Sequence, residues 1–143
     1  MTTDDVKARL VTEIALRGSD DRYIDRNEER EILQIAIQLG VGFDAAKADM
    51  SAVCGERGYV LESDVVRAVG ERLAESAGPT GKLDRAGFER VCGEAARLVR
   101  GMKPEREVRR LVVTVMEDTG RNRVKTGWFG NWYAAVKKEL GVG

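Results

Sequence analysis

The chain has 143 residues, 43% of them hydrophobic and 34% charged, with 24 basic against 24 acidic side chains and no histidine. Length and apolar content suit one ordinary domain over residues 1–143 built on a single core. The missing histidine removes Ser-His-Asp triads, His-ligated zinc and imidazole acid–base chemistry near neutral pH. No apolar run approaches the roughly 18 residues a bilayer span needs, and Met1-Thr2-Thr3-Asp4-Asp5 is acidic where a secretory signal would be basic and then apolar. The expectation is a cytoplasmic protein with no membrane association.

Residues about 4–17 suit a first helix, with Thr3 as its cap, Asp4 and Asp5 at the positive end of its dipole, and Val6, Leu10, Val11 and Ile14 at helical spacing. Gly18 ends it. After a polar loop, Asp25 and Glu28 form a capping-box start to a helix over about 26–39. Its Ile32, Leu33, Ile35, Ala36, Ile37 and Leu39 cover more than half the wheel, which predicts a central helix packed on several sides. Gly40 stops it. A short helix is expected over 43–54, then one capped by Ser63 running to about 76. The turn Gly78-Pro79-Thr80-Gly81 precedes a helix from Leu83-Asp84 to about Val99. Pro104 suits the first turn of a helix over 104–118, and a last helix is expected from Thr126 to Leu140. Strand character is confined to Tyr59-Val60-Leu61. The architecture is therefore all-α, with about seven helices.

The two ends of the chain match each other. At an offset of 101 without gaps, residues 9–42 align with 110–143: Arg9-Leu10-Val11 recurs as Arg110-Leu111-Val112, and Leu39-Gly40-Val41-Gly42 as Leu140-Gly141-Val142-Gly143. Two pseudo-equivalent helical hairpins around a helical middle segment follow, with Ile24 and Val124 both buried beneath their loops. Three loops share one form, a polar stretch and one apolar residue before the next helix opens: Ile24-Asp25, Leu83-Asp84 and Val124-Lys125-Thr126. With Ile24 as the eighth residue of a calcium loop, Arg17 would stand first and Arg22 sixth, where a carboxylate and a glycine are required. The other two loops fit no better.

Cys54 and Cys92 lie far apart within apolar patterns, which suits buried thiols rather than a disulfide or a metal site. Residues 1–70 carry nine basic and fourteen acidic side chains, and residues 71–143 fifteen and ten. Arg97, Arg100, Lys103, Arg106, Arg109 and Arg110 cluster near Pro104; they read as solvent faces of two helices or as contacts for an acidic partner. A neutral chain without a reading motif argues against nucleic acid. Trp128, Phe129, Trp132 and Tyr133 fill one arc of the last helix. They read either as core, with Trp132 and Val136 mostly buried, or as a partner-binding face.

The apolar helix Leu10–Ala15, the acidic Asp20-Asp21, the Ile24-Asp25 step, Glu28-Glu29 and the ending Leu39-Gly40-Val41 together resemble the tellurite-resistance TerB-like family of helical domains. The resemblance covers both ends of the chain and not residues 43–103. It implies an all-helical fold of two related halves, a stress-linked accessory role, and acidic loop residues that hold a metal ion. Asp20, Asp21, Asp25 and Glu28 are the positions that match. The second loop departs from the family pattern, since at the offset of 101 Arg121 stands where Asp20 stands in the first, Thr126 where Asp25 stands, and Phe129 replaces Glu28. The functional expectation is a non-enzymatic protein-interaction or accessory module, with a protein partner and no obligatory cofactor. The alternative is a divalent-metal-binding module using the acidic loop 20–28, and a carboxylate-based enzyme stands behind both.

Overall fold

The computed structural model describes residues 2–127 and 130–142. The fold is all-α, with seven α-helices among the described residues and one two-stranded parallel ladder. None of the described helices is long and apolar enough to cross a membrane. The chain divides into two compact units, Met1–Asp64 and Val65–Gly143.

The first unit contains α1 (Thr3–Gly18), β1 (Tyr23–Ile24), α2 (Arg26–Gln38), α3 (Phe43–Arg57), β2 (Val60–Leu61) and the start of α4 (Glu62–Ala77), in which the division falls. The cap of α1 is Thr2, one residue earlier than expected. Its hydroxyl accepts the Asp5 N–H at 3.2 Å while the Asp5 carboxylate accepts the Thr2 N–H at 3.0 Å, satisfying two groups that a helix start leaves open. The short helix expected over 43–54 runs on to Arg57 and ends at Gly58 in the left-handed conformation. The core joins Leu10 and Ile14 of α1, Ile32, Leu33 and Ala36 of α2, Ala46, Met50, Val53 and Cys54 of α3, and Ile24 and Leu61 from the ladder. Ile37 does not join it: that side chain is 52% exposed, so α2 buries one stripe and leaves the opposite face to solvent.

The ladder ties two loops together. Tyr23 pairs with Val60 and Ile24 with Leu61, and the Val60 N–H donates to the Arg22 carbonyl at 2.9 Å. Strand character thus extends to Tyr23–Ile24, beyond the Tyr59-Val60-Leu61 stretch expected from the sequence. Gly18 is buried beneath the Tyr59 ring, so close that a Cβ there would lie 2.6 Å from a ring carbon.

The second unit contains the rest of α4, a single 3-10 turn (Gly78–Thr80), α5 (Arg85–Leu98), α6 (Glu105–Asp118) and α7 (Trp132–Leu140). Asp84 caps α5 through a 2.7 Å bond from the Gly87 N–H. Pro104 is the N-cap of α6 rather than a member of its first turn. Its extended backbone leads the chain into the helix, where Val108, Val112, Val113, Val115 and Met116 are buried. Leu83 and Val124 meet in a parallel bridge, the Leu83 N–H donating to the Arg123 carbonyl at 2.9 Å and the Lys125 N–H to the Leu83 carbonyl at 2.8 Å.

The last helix begins at Trp132, not Thr126. Gly127 and Gly130 pair with each other instead, and Gly130 has φ +97°, a conformation that side-chain-bearing residues avoid. Asn131 then caps α7 by accepting the N–H groups of Tyr133 and Ala134 at 3.1 and 3.2 Å. Trp128 and Phe129 lie outside the described residues. Ile24 is fully buried as expected, whereas Val124 is only half-buried.

Candidate functional site

The acidic loop of the first unit is occupied by its own backbone. Asp25 accepts the Glu28 N–H at 2.8 Å and Glu28 accepts the Asp25 N–H at 3.2 Å, the reciprocal cap that starts α2. Asp21 accepts the Tyr23 N–H at 3.1 Å, which shapes the turn into the ladder. Asp20 is exposed. Partial burial raises the Glu28 carboxyl above its ordinary value, and the charges of Asp25 and Asp21 push it the same way against the lowering effect of the Asp25 N–H. Among the described residues no three Cys, Asp or Glu side chains are grouped to hold a metal ion.

A second set of polar groups in this unit had no sequence signal beyond a glutamate in a helix. Glu29, only 5% exposed, accepts the Ser63 hydroxyl at 2.8 Å and faces the Lys47 ammonium at 3.6 Å. Ser63, expected as the cap of α4, instead spends its hydroxyl on this carboxylate. Ser51 donates to Asp64 at 3.1 Å, and burial together with the charges of Asp64 and Glu29 pushes the Cys54 thiol up to about 11. These contacts join α2, α3 and the start of α4. They leave Cys54 a neutral thiol with no nucleophilic character at physiological pH.

In the second unit the aromatic residues split between core and rim. Tyr133 is buried, and its hydroxyl donates to Glu117 at 2.8 Å. Glu117 also receives the Lys137 ammonium at 2.8 Å and the Asn122 amide at 2.8 Å, and these donors hold its carboxyl below the usual range. Trp132, expected to be mostly buried, is half-buried. Its ring lies 5.3 Å from that of Phe88 and 5.7 Å from that of Tyr133, and its indole N–H donates to the Lys125 carbonyl at 2.8 Å. Val136 is buried as expected.

The basic cluster near Pro104 resolves into separate roles. Arg109 forms a two-pronged pair with Glu89, at 2.7 and 2.9 Å, with its guanidinium 5.3 Å from the centre of the Phe88 ring. That pairing lowers the Glu89 carboxyl and raises Arg109. Arg106 donates to the Glu139 carbonyl at 3.1 Å, and Lys103 lies 3.8 Å from Glu107. Arg97, Arg100 and Arg110 are exposed.

Between α5 and α6 lies a cleft of about 380 Å³, to which Lys103 and Arg109 of this cluster contribute. Its floor is the buried Cys92 and Val108, its apolar edge the exposed Gly93 and Ala96, and its charged rim Glu89, Lys103, Glu105 and Arg109. A neighbouring hollow of about 390 Å³ shares Glu105 and Arg109 and adds Arg85, Arg106 and Glu139. Burial pushes the Cys92 thiol up to about 12, so the floor is uncharged and unreactive. The arrangement can take an apolar side chain and flank it with fixed charges. Sequence reasoning found the basic residues but not the cleft, because Gly93 and Ala96 open it only when α6 packs alongside α5. The chain matches no protein-family model, no curated protein and no solved structure.

Proposed function

We propose that this chain is a non-catalytic protein-interaction module of TerB-like type, a cytoplasmic accessory in a bacterial stress-response system. The observation that carries the reading is the α5–α6 cleft, an apolar floor within a rim of paired charges, which is the composition of a docking surface: an uncharged centre that gives affinity and a polar edge that gives orientation. The ionisable groups elsewhere support it. Asp25 and Glu28 of the acidic loop cap α2, Asp21 shapes the turn into the ladder, Glu117 clamps α7 to α6, and both thiols are held neutral. The TerB-like assignment rests on the terminal motifs and on the all-helical fold.

The test is cross-linking capture from cells by the wild-type chain and by Ala96→Trp, which fills the cleft from an exposed position. The reading requires a protein recovered by the first and lost by the second, with circular dichroism showing both folded. Equal recovery would remove the cleft from the function.

A divalent-metal module using Asp20, Asp21, Asp25 and Glu28 is the second reading. It is favoured by the environment of Glu28, which partial burial raises first and the charges of Asp25 and Asp21 raise further; a hard cation with oxygen ligands would relieve that repulsion. Calorimetric titration with calcium, magnesium and manganese separates the two. Heat that disappears in Asp21→Asn/Asp25→Asn, in which the asparagine still caps α2, would establish the metal reading.

A further inference from the structure

The two units carry opposite charge. Residues 1–64 hold eight basic and fourteen acidic side chains, a net of −6, and residues 65–143 hold sixteen and ten, a net of +6. The acidic unit also presents an apolar knob. Phe43 is 54% exposed and Ile37 52%, and they flank the tight turn in which the Gly40 N–H donates to the Ile37 carbonyl and the Val41 N–H to that of Ala36. Phe43 opens α3, and the exposed Asp44 follows it. Two large apolar side chains left exposed gain free energy when a partner covers them. The basic unit holds the cleft, lined by Cys92 and Val108 and edged by Lys103 and Arg109 together with Glu89 and Glu105.

We infer that Phe43 and Ile37 of one copy seat in the α5–α6 cleft of a second copy, with Asp44 directed at Lys103 on the rim. This rests on the reading of the cleft as a docking surface and names its occupant. The second copy is favoured because knob and cleft occur on one chain in units of equal and opposite charge, so that the contact brings the −6 unit of one copy against the +6 unit of the next. Opposite charge of that size speeds encounter and is screened by salt. The contact is heterologous: each copy uses a knob at one site and a cleft at another, so association gives rings or open chains rather than a self-complementary pair.

Sedimentation velocity of the full chain across protein concentration, at low and at high salt, tests this. The wild type should form species larger than a monomer at low salt and lose them at high salt. Phe43→Ser, which removes the knob, and Ala96→Trp, which fills the cleft, should each weaken association roughly tenfold or more, as loss of a buried anchor does. Phe43→Ser keeps an intact cleft and Ala96→Trp an intact knob. Their equimolar mixture should therefore recover a single contact and stop at a one-to-one dimer. Lys103→Glu replaces Ala96→Trp if the latter does not fold.

A wild type that stays monomeric at every concentration and salt overturns the inference, as does association that survives both variants or a mixture that remains monomeric. Capture of a different protein in an Ala96-dependent way by a monomeric wild type would leave the docking surface standing and refute only the second copy as its occupant.

Discussion

Trp132→Ala probes how the second unit closes over Phe88. Complete burial of a tryptophan would make its truncation cost about 3–5 kcal/mol, but Trp132 is half-buried, which brings the packing share to roughly 2 kcal/mol. The tilted contact with Phe88 at 5.3 Å adds about 0.5–1 kcal/mol. The indole bond to the Lys125 carbonyl adds little, on the order of 0.5 kcal/mol, because that carbonyl sits in an exposed segment and water replaces the donor. The expected total is about 3–3.5 kcal/mol, read from urea unfolding followed by circular dichroism. Trp132→Phe retains a ring against Phe88 and should cost about 1 kcal/mol. If the alanine variant loses less than about 1 kcal/mol, or the phenylalanine variant loses as much as the alanine one, the ring contact is not what holds this edge of the unit.

Glu117 is held below its ordinary value of 4.5 by Lys137, Tyr133 and Asn122. Its stabilising share is therefore complete above pH 4.5 and lost as pH falls through that value toward the lower folded one. Melting temperatures between pH 7 and pH 3 should fall less steeply for Glu117→Gln than for the wild type, and parallel curves would remove Glu117 from the acid response. Gly18→Ala places a Cβ 2.6 Å from the Tyr59 ring and should cost roughly 1–3 kcal/mol through overpacking. Tyr59→Ala should relieve most of that cost in the double variant, and additive losses would show that the clash is not with the ring.

The sequence made the local chemistry legible. The Asp25–Glu28 box, the Asp84 cap and the buried cysteines each follow from interactions within one turn or from a simple periodic pattern. What escaped depended on partners distant in sequence. Ile37 sits in an apolar run and yet faces solvent, because the wheel measures apolar breadth and not how many neighbours arrive to cover it. Glu29 reads as one more charge in a helix, and only the arrival of Ser63 and Lys47 permits its burial. The start of α7 was misplaced because the aromatic residues gave a convincing arc, although Gly127, Gly130 and Asn131 carried the stronger local signal. At the site the basic residues were visible, while the cleft required two helices to be brought together.

The match between the chain's ends shows what an unbroken repeat can and cannot encode. At the helix stops the offset of 101 is structural: Gly40 and Gly141 both have positive φ, and the bond from Val41 to Ala36 recurs as Val142 to Lys137. Inside the helices it fails. The buried stripe of α1 is Val6, Leu10 and Ile14 and that of α6 includes Val108, Val112 and Met116, an offset of 102, while the bridging residues Ile24 and Val124 lie 100 apart. One residue turns a helix by about 100°, so the shared Arg-Leu-Val triplet puts Leu10 in the core and leaves Leu111 half-buried. The repeated element is better seen in the loops. Ile24, Leu61, Leu83 and Val124 each pair between two helices, four times where three were legible. Leu10→Ala should therefore cost about 2–5 kcal/mol as a core truncation, and Leu111→Ala only about 1 kcal/mol, in matched urea unfolding curves. Equal costs would mean that the triplet keeps its helical phase and that the two hairpins are packed as true copies.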